Sequence, residues 1–493
     1  MEILDAAQRA GAEWADVRII TKRLQSIATR NSEVSGLRDT VTSGFGLRVL
    51  VGGSWGFSGS RKTTPEAVEA VARRAVAQAR AHAAIQKRPV ELSDEEVVSD
   101  GRWESPMEID PFEVPLEEKI DFLIRANRVA LSERQVRTVT STMEFLLDEK
   151  LYANSEGTVT DQVIRWAEPI MLVTAVSDDR SESQTRWSRA DIPPLGIGYE
   201  HIIDSDLIGN APRYAQEAVQ KLSAASVEPG LYDLVLLPTH LGLTLHETIG
   251  HPTELDRIMG YEADHAGTSF IYPIEEYLGR FRYGPDFMNV QGERSVPGGM
   301  ANAGWDDEGV KPRDYLIVKD GILNDLQTTR EQAPWLADWY SSQGKEVRSN
   351  GNAYGENWDV VQFQRMPNIN LLPYPGRDVT VEELVSGVER GIMIDGRGSF
   401  SIDQQRYNAQ FGGQIFWEIR DGRITRMLKD VAYQIRTPEF WNSMDLCGGE
   451  STYHMYGSTG GGKGQPSQGK DVTHGGPATR HRGVSVINTA ELV

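Results

Sequence analysis

The segment Leu245-His246-Glu247-Thr248-Ile249-Gly250-His251-Pro252 holds the residue types best able to do chemistry in this sequence. Imidazole nitrogen is a good Zn²⁺ ligand, and a carboxylate beside a metal can take a proton from bound water. The familiar zinc-protease spacing is His-Glu-x-x-His, whereas here three residues separate Glu247 from His251. At about 100° per residue, an i,i+4 pair on a regular helix lies ~40° apart and can share an ion, but an i,i+5 pair lies ~140° apart and cannot. A metal site at this spacing requires a helix that breaks or carries a π-bulge. Gly250 and the pair His251-Pro252 supply a cause, because glycine is permissive and proline pushes the preceding residue away from α geometry. A helix capped near Thr239 and ending at about Gly250, with Leu241, Leu245 and Ile249 on its buried face, would let His251 swing back toward His246. Two histidines and a glutamate within six residues also arise by chance in a helix. Two imidazoles are moreover an incomplete set, since a catalytic zinc usually takes three protein ligands plus water.

Other reactive residues are sparse. Cys447 is the lone cysteine, so no disulfide can form within the chain. Taken alone it reads as a buried small hydrophobe. A carboxylate supporting a metal-bound histidine would be Glu254 or Asp256, and either could equally be a solvated helix face. His265, His454 and His474 could stabilise an oxyanion, or be structural or exposed.

These groups need elements to position them. At roughly 100–200 residues per domain, 493 residues imply two or three domains. Residues 1–226 read as an N-terminal mixed α/β domain with two sub-segments, about 1–90 and 114–226, joined by an acidic connector. In the first, Val17, Ile19 and Thr21 and then Phe45, Leu47, Val49 and Val51 alternate as half-buried strands do. Thr64-Pro65 opens a helix with Val68, Val71, Ala72, Ala75 and Ala79 on one stripe. In the second, a helix begins near Pro115, strands run from about Val136 to Val176, and a further helix covers Gly209 to Ala225. Val227-Glu228-Pro229-Gly230 punctuates the chain, and residues 227–493 become rich in Gly, Tyr, Trp and Asn with short strand-like runs. Lys319-Asp320-Gly321 and Arg420-Asp421-Gly422 are hairpin signals, a helix is expected over Val381 to Gly391, and the Gly-rich stretch Tyr456 to Gly476 has no hydrophobic period and reads as loop. The expected fold class is α+β, a mixed α/β domain followed by a β-rich, antiparallel, barrel-like domain.

A net charge of −20 repels phosphate backbones and anionic lipid, which argues against a nucleic-acid or membrane partner. No stretch approaches the ~20 apolar residues that span a bilayer, and Met1-Glu2-Ile3-Leu4-Asp5 lacks the pattern of a secretory signal. A cytoplasmic location is the expectation.

The His-Glu-x-x-x-His motif after a Leu-rich strand, with Asp445-Leu446-Cys447-Gly448-Gly449 near the C-terminus, resembles the TldD/PmbA family of metallopeptidases. Looser agreement comes from Gly267-Thr268-Ser269, from Gln364-Arg365-Met366-Pro367-Asn368-Ile369 and from Gly464-Gln465-Pro466. The run Pro252-Thr253-Glu254-Leu255-Asp256 departs from the family's pattern after the second histidine. The resemblance implies one Zn²⁺ per chain held by His246, His251 and Cys447, with Glu247 as general base and later proton donor to the leaving amine. It implies peptide or unstructured protein substrates, and a homodimer or a heterodimer with a related PmbA/TldE-type subunit. The competing reading is a non-catalytic binding or regulatory subunit with a structural zinc, for which Glu247 would be unnecessary. A thiol peptidase built on Cys447 would need a base and an orienting group, and no such signature surrounds it.

Overall fold

The strand Trp14–Arg30 pairs antiparallel with Glu33–Val51 on one side and with Val136–Asn154 on the other. Its central position joins the two N-terminal sub-segments into one seven-stranded sheet. The computed structural model that carries this sheet describes residues 2–492. Helix Pro65–Ala83 starts where the sequence places it, with the Thr64 hydroxyl accepting the Ala67 N–H and Pro65 at the first position. Its stripe of Val68, Val71, Ala72, Ala75 and Ala79 packs with Phe45, Leu47 and Val49 of the sheet. Helices Leu116–Leu131 and Leu207–Leu222 cover the other half through Leu123, Ala126, Ala211, Tyr214 and Ala218. Within the acidic connector, Gly101–Glu104 runs parallel to Val159–Val176 as an edge strand.

In the C-terminal half, Gly230–Leu236, Thr479–Asn488, Val431–Arg436, Asn408–Arg420 and Arg390–Ile402 pair in that order. Arg390–Ile402 then pairs with Gly230–Leu236 and closes a five-stranded barrel. That closing contact is parallel and the other pairings around the ring are antiparallel, which gives the α+β, barrel-containing class expected. Both hairpin signals hold: Asp320 and Gly321, and Asp421 and Gly422, all have φ between 47° and 74°, as type I′ turns demand. The helix expected over Val381 to Gly391 ends earlier, at Ser386, and the chain turns at Gly387 to enter strand Arg390–Ile402.

The stretch 456–476 differs from the loop expected. It forms an antiparallel hairpin, His454–Lys463 with Gln468–Gly476, at the edge of a second, six-stranded sheet. Glycine leaves no side-chain period to read, yet its N–H and C=O enter a ladder like any other residue's. Between this hairpin and the barrel lies helix Pro238–Leu245, which leaves strand Gly230–Leu236 after a single residue. Leu241, Leu245 and Ile249 join Leu234, Leu236, Ile369 and Leu371 in the main core. Gly242 permits the close approach, since a Cβ there would stand 2.4–2.5 Å from the Tyr456 side chain. Among the described residues no helix is long and apolar enough to cross a membrane.

Candidate metal centre

Helix Pro238–Leu245 does not stop at the motif but widens. Residues His246–Gly250 form a π-helical turn, and the His251 N–H donates to the His246 carbonyl five residues back. This turn resolves the spacing, because an i→i+5 turn stacks residues five apart that a regular α-helix splays. The two imidazoles lie with ring centroids 4.7 Å apart and planes at 88°. His251 itself keeps helical angles (φ −64°, ψ −41°), so the chain does not break before Pro252; Pro252 enters a short 3₁₀ turn, His251–Thr253. Nor does Thr239 cap the helix: Pro238 holds the first position and Thr239 donates its hydroxyl to Asp395 instead.

The π turn is held from outside. Its carbonyls are met by Tyr283 Oη on Thr248 (2.8 Å), Thr253 Oγ1 on Ile249 (2.7 Å) and Gln327 Nε2 on Gly250. Trp441 Nε1 donates to Thr248 Oγ1 at 2.9 Å. A Cβ at Gly250 would fall 2.5–2.6 Å from the end of the Met366 side chain, which would have to shift to admit it.

Hydrogen bonds fix how each imidazole faces the site. His474 Nδ1 lies 3.2 Å from the Ile369 carbonyl, which can only accept, so its Nε2 carries a lone pair. That lone pair receives His246 Nδ1–H at 2.7 Å. His251 Nδ1–H donates to Glu254 Oε2 at 2.9 Å. Both motif histidines therefore turn an Nε2 lone pair to the same space, with the outer-shell partners that metal-bound histidines almost always have. Burial holds both imidazoles far below their ordinary pKa, with neighbouring cations adding to it, so they are neutral and free to donate. Ligand atoms of His246, Glu247 and His251 lie within 4.8 Å of one another. Glu247 Oε2 is buried without a hydrogen-bond donor, and burial raises its carboxyl pKa against the pull of Arg406. Two neutral imidazoles and a buried carboxylate whose ligand atoms lie this close together fit a divalent cation.

Cys447 does not join this group. It ends strand Met444–Cys447, is fully buried in the apolar core, and pairs with Thr479, whose other neighbour is Leu236. It thus stands beside the start of the motif helix, whereas His246 follows its far end, about 12 Å along at 1.5 Å per residue. Burial pushes its thiol up to about 12, which disfavours a thiolate. The backbone facing the histidines is instead that of Gly461 on the hairpin's outer strand: a Cβ built there would lie 3.8 Å from His246 Cε1 and 4.0 Å from Nε2.

The sequence left open which residues support the site. Glu254, rather than Asp256, supports His251, while Asp256 pairs with the buried Lys463 at 2.7 Å. His474, which the sequence offered as an oxyanion stabiliser or a structural residue, supports His246 instead. Arg406, from the loop between strands Arg390–Ile402 and Asn408–Arg420, reaches to 3.2 Å of Glu247 Oε2, off line for a hydrogen bond. His265 is exposed and His454 half-buried.

Comparison with known proteins covers nearly the whole chain. The PmbA/TldA metallopeptidase domain 1 matches residues 15–79, the central domain 109–225 and the C-terminal domain 229–487. A metalloprotease of Methanocaldococcus jannaschii is 24% identical over 461 residues, 91% of this chain and 95% of the relative. A protein of Saccharolobus solfataricus named as a zinc metalloprotease TldD homolog is 21% identical over 474 residues, 96% of each chain. A Thermotoga maritima crystal structure described as a putative modulator of a DNA gyrase shares the fold at a TM-score of 0.72 and 16% identity, covering 98% of both chains. TldE from Thermococcus kodakarensis shares it at 0.68 and 13%, covering 99% of both.

Proposed function

Because the chain belongs to the TldD/PmbA family of metallopeptidases, we propose that it is a zinc-dependent peptidase acting on peptides or unstructured protein segments. The observation that carries this reading is the π turn, which aims the Nε2 lone pairs of His246 and His251 at one point beside the buried Glu247 carboxylate. His246 and His251 would hold one ion per chain. Zinc is favoured by the name of the Saccharolobus relative. When bound, the ion supplies Lewis acidity, making water more acidic and polarising a carbonyl.

The remaining chemistry belongs to the chain. Glu247 accepts the proton of the attacking water and returns it to the leaving nitrogen; a carboxyl pKa raised by burial suits both tasks. His474 and Glu254 hold the imidazoles in the tautomer that leaves Nε2 free. The site is enclosed, with His246, Glu247 and His251 each under 10% exposed, which strengthens every charge interaction in it. Strand His454–Lys463 is the free edge of its sheet and carries Gly461 beside His246. An extended peptide can add to such an edge through main-chain hydrogen bonds, with little demand on its sequence. A dimer, with a second copy or with a PmbA/TldE-type subunit, would wall the site further and keep folded proteins out.

The test is Glu247→Gln with metal content measured alongside cleavage of an unstructured peptide. Retained metal with lost cleavage supports the assignment. Cleavage at the wild-type rate removes Glu247 from the mechanism, and a metal-loaded wild type that cleaves no peptide favours the non-catalytic subunit.

A further inference from the structure

The stretch Gly460-Gly461-Gly462-Lys463-Gly464 carries a single side chain beyond hydrogen, and that side chain is buried. Lysine is almost never fully buried unless it is paired. Lys463 is paired twice: its Nζ stands 2.7 Å from Asp256 Oδ1 and 3.4 Å from Glu254 Oε2. The lysine comes from the hairpin strand whose Gly461 faces His246, and both carboxylates come from the segment that follows His251. Lys463 therefore ties the strand across the site to the turn that carries the histidines. The end of that strand is pinned to the same segment a second time, by the Gly464 N–H donating to Glu262 Oε2 at 3.0 Å.

The lysine holds its two carboxylates differently. An ammonium group has three N–H donors and no acceptor. Lys463 directs them to Asp256 Oδ1 at 2.7 Å, to the Gln364 carbonyl at 2.9 Å and to Gln364 Oε1. No hydrogen is left for Glu254, which the ammonium holds at 3.4 Å by charge. Glu254 Oε2 accepts from His251 Nδ1–H at 2.9 Å, and Oε1 accepts from nothing among the described residues. Arg365 and Arg406 attract Glu254 from farther away; among the described residues Lys463 is the lysine or arginine in ion-pair contact with it. Asp256 acts in the opposite sense, because it is buried beside Glu254 and carries the same charge. Without Lys463 the two carboxylates would repel in a site that no water screens, and an uncompensated buried charge is strongly disfavoured.

We propose that Lys463 is a positioning residue of the metal centre: its charge holds Glu254 against His251 and so keeps the His251 Nε2 lone pair turned toward the ion. This rests on the reading of His246 and His251 as metal ligands, and adds to it a residue of the glycine-rich hairpin that acts through Glu254. Gln364 does not carry the effect, since its amide is held at the other end by Gln327 Oε1 at 3.0 Å. Metal-bound histidines depend on the group that receives their second N–H, and here that group is itself kept in place by a cation from across the site.

The experiment is a double-mutant cycle on the full chain, with zinc affinity read by competition against a chromophoric chelator and thermal midpoints of the metal-free proteins read alongside. The variants are Lys463→Met, Glu254→Gln and the two combined. Lys463→Met keeps an unbranched stem and removes the charge, and it should weaken zinc binding at least about tenfold, the lower end of the loss when an outer-shell partner goes. The combined variant has the same net charge in this cluster as the wild type, so it keeps the cycle readable even where Lys463→Met alone does not fold. Its zinc affinity should match that of Glu254→Gln within about twofold, because Lys463 then has no carboxylate to aim. With Co²⁺ in place of zinc, the visible bands of Lys463→Met should shift toward those of Glu254→Gln, a change in ligand field that lost stability alone does not produce. Zinc held by Lys463→Met within about twofold of wild type, or a cobalt spectrum identical to wild type, overturns the proposal. So does a further fall of about tenfold from Glu254→Gln to the combined variant, since Lys463 would then act by another route. A wild type that binds no zinc overturns it together with the metal-centre reading. Peptide cleavage plays no part in the measurement, so failure at Lys463 alone leaves the peptidase reading intact.

Discussion

Glu254→Gln is the sharpest test of how the histidines are held. The Glu254 carboxylate receives His251 Nδ1–H at 2.9 Å and lies 3.4 Å from Lys463 Nζ, and its other oxygen has no partner. Glutamine is isosteric. Its carbonyl can keep the bond to His251, and its amide takes the place of the oxygen that bonds nothing. The substitution therefore removes charge and little else. Lys463 keeps Asp256 at 2.7 Å and the Gln364 carbonyl at 2.9 Å, so the fold should survive. A hydrogen bond to an ionised partner is roughly twice as strong as a neutral one, and loss of such outer-shell partners weakens metal binding about 10–100-fold. That range corresponds to about 1.4–2.7 kcal/mol. Competition with a chromophoric zinc chelator, on variant and wild type of equal thermal midpoint, measures it directly. Zinc affinity within twofold of wild type would refute the claim that Glu254 orients His251 for a metal.

Cys447→Ser should leave metal content unchanged and, by placing a hydroxyl in an apolar core, lower stability by about 1–3 kcal/mol; loss of metal on elemental analysis would return Cys447 to the ligand set. Gly461→Cys should tighten zinc binding at least about tenfold by adding a third donor, because the new Cβ meets only ordinary contacts and stands about 4 Å from the His246 ring; unchanged affinity would place the ion elsewhere. Acid should destabilise the fold through His240 and His481, which burial pushes down to about 4. Unfolded imidazoles titrate near 6.5, so the unfolded chain takes up protons first as pH falls. The contribution is whole above pH 6.5 and drains away toward pH 4. By pH 5 the loss amounts to about 2 kcal/mol per histidine, and denaturation midpoints at pH 7.5 and 5.0 should show it. A His481→Gln variant should lose about 2 kcal/mol less than the wild type over that range, since buried His474 and the two motif histidines contribute in both; equal losses would refute the assignment.

Much of the site's local chemistry was legible because it lies along the chain. An i,i+5 pair of histidines beside a glutamate cannot share an ion on a regular α-helix, and the sequence alone therefore demanded a broken or π-bulged turn at His246–His251. The leucine stripe of the motif helix, the Thr64 cap and the two Asp-Gly hairpins are likewise short-range features, set by side-chain period and left-handed turn geometry. What tertiary structure decided depends on residues distant in sequence. The π turn is stabilised by Tyr283, Gln327 and Trp441, which meet it only in the fold. Glu254 was separated from Asp256 by which carboxylate Lys463 and His251 each reach, and His474 came from a hairpin whose glycines leave no pattern to read. Cys447, matched to the histidines by resemblance, was carried by strand register into the core beside Leu236, while Gly461 came to face them. A ligand set is a meeting point in space. The chain specifies the donors it can place one turn apart, and the folding of sheets against that turn decides which distant residues arrive.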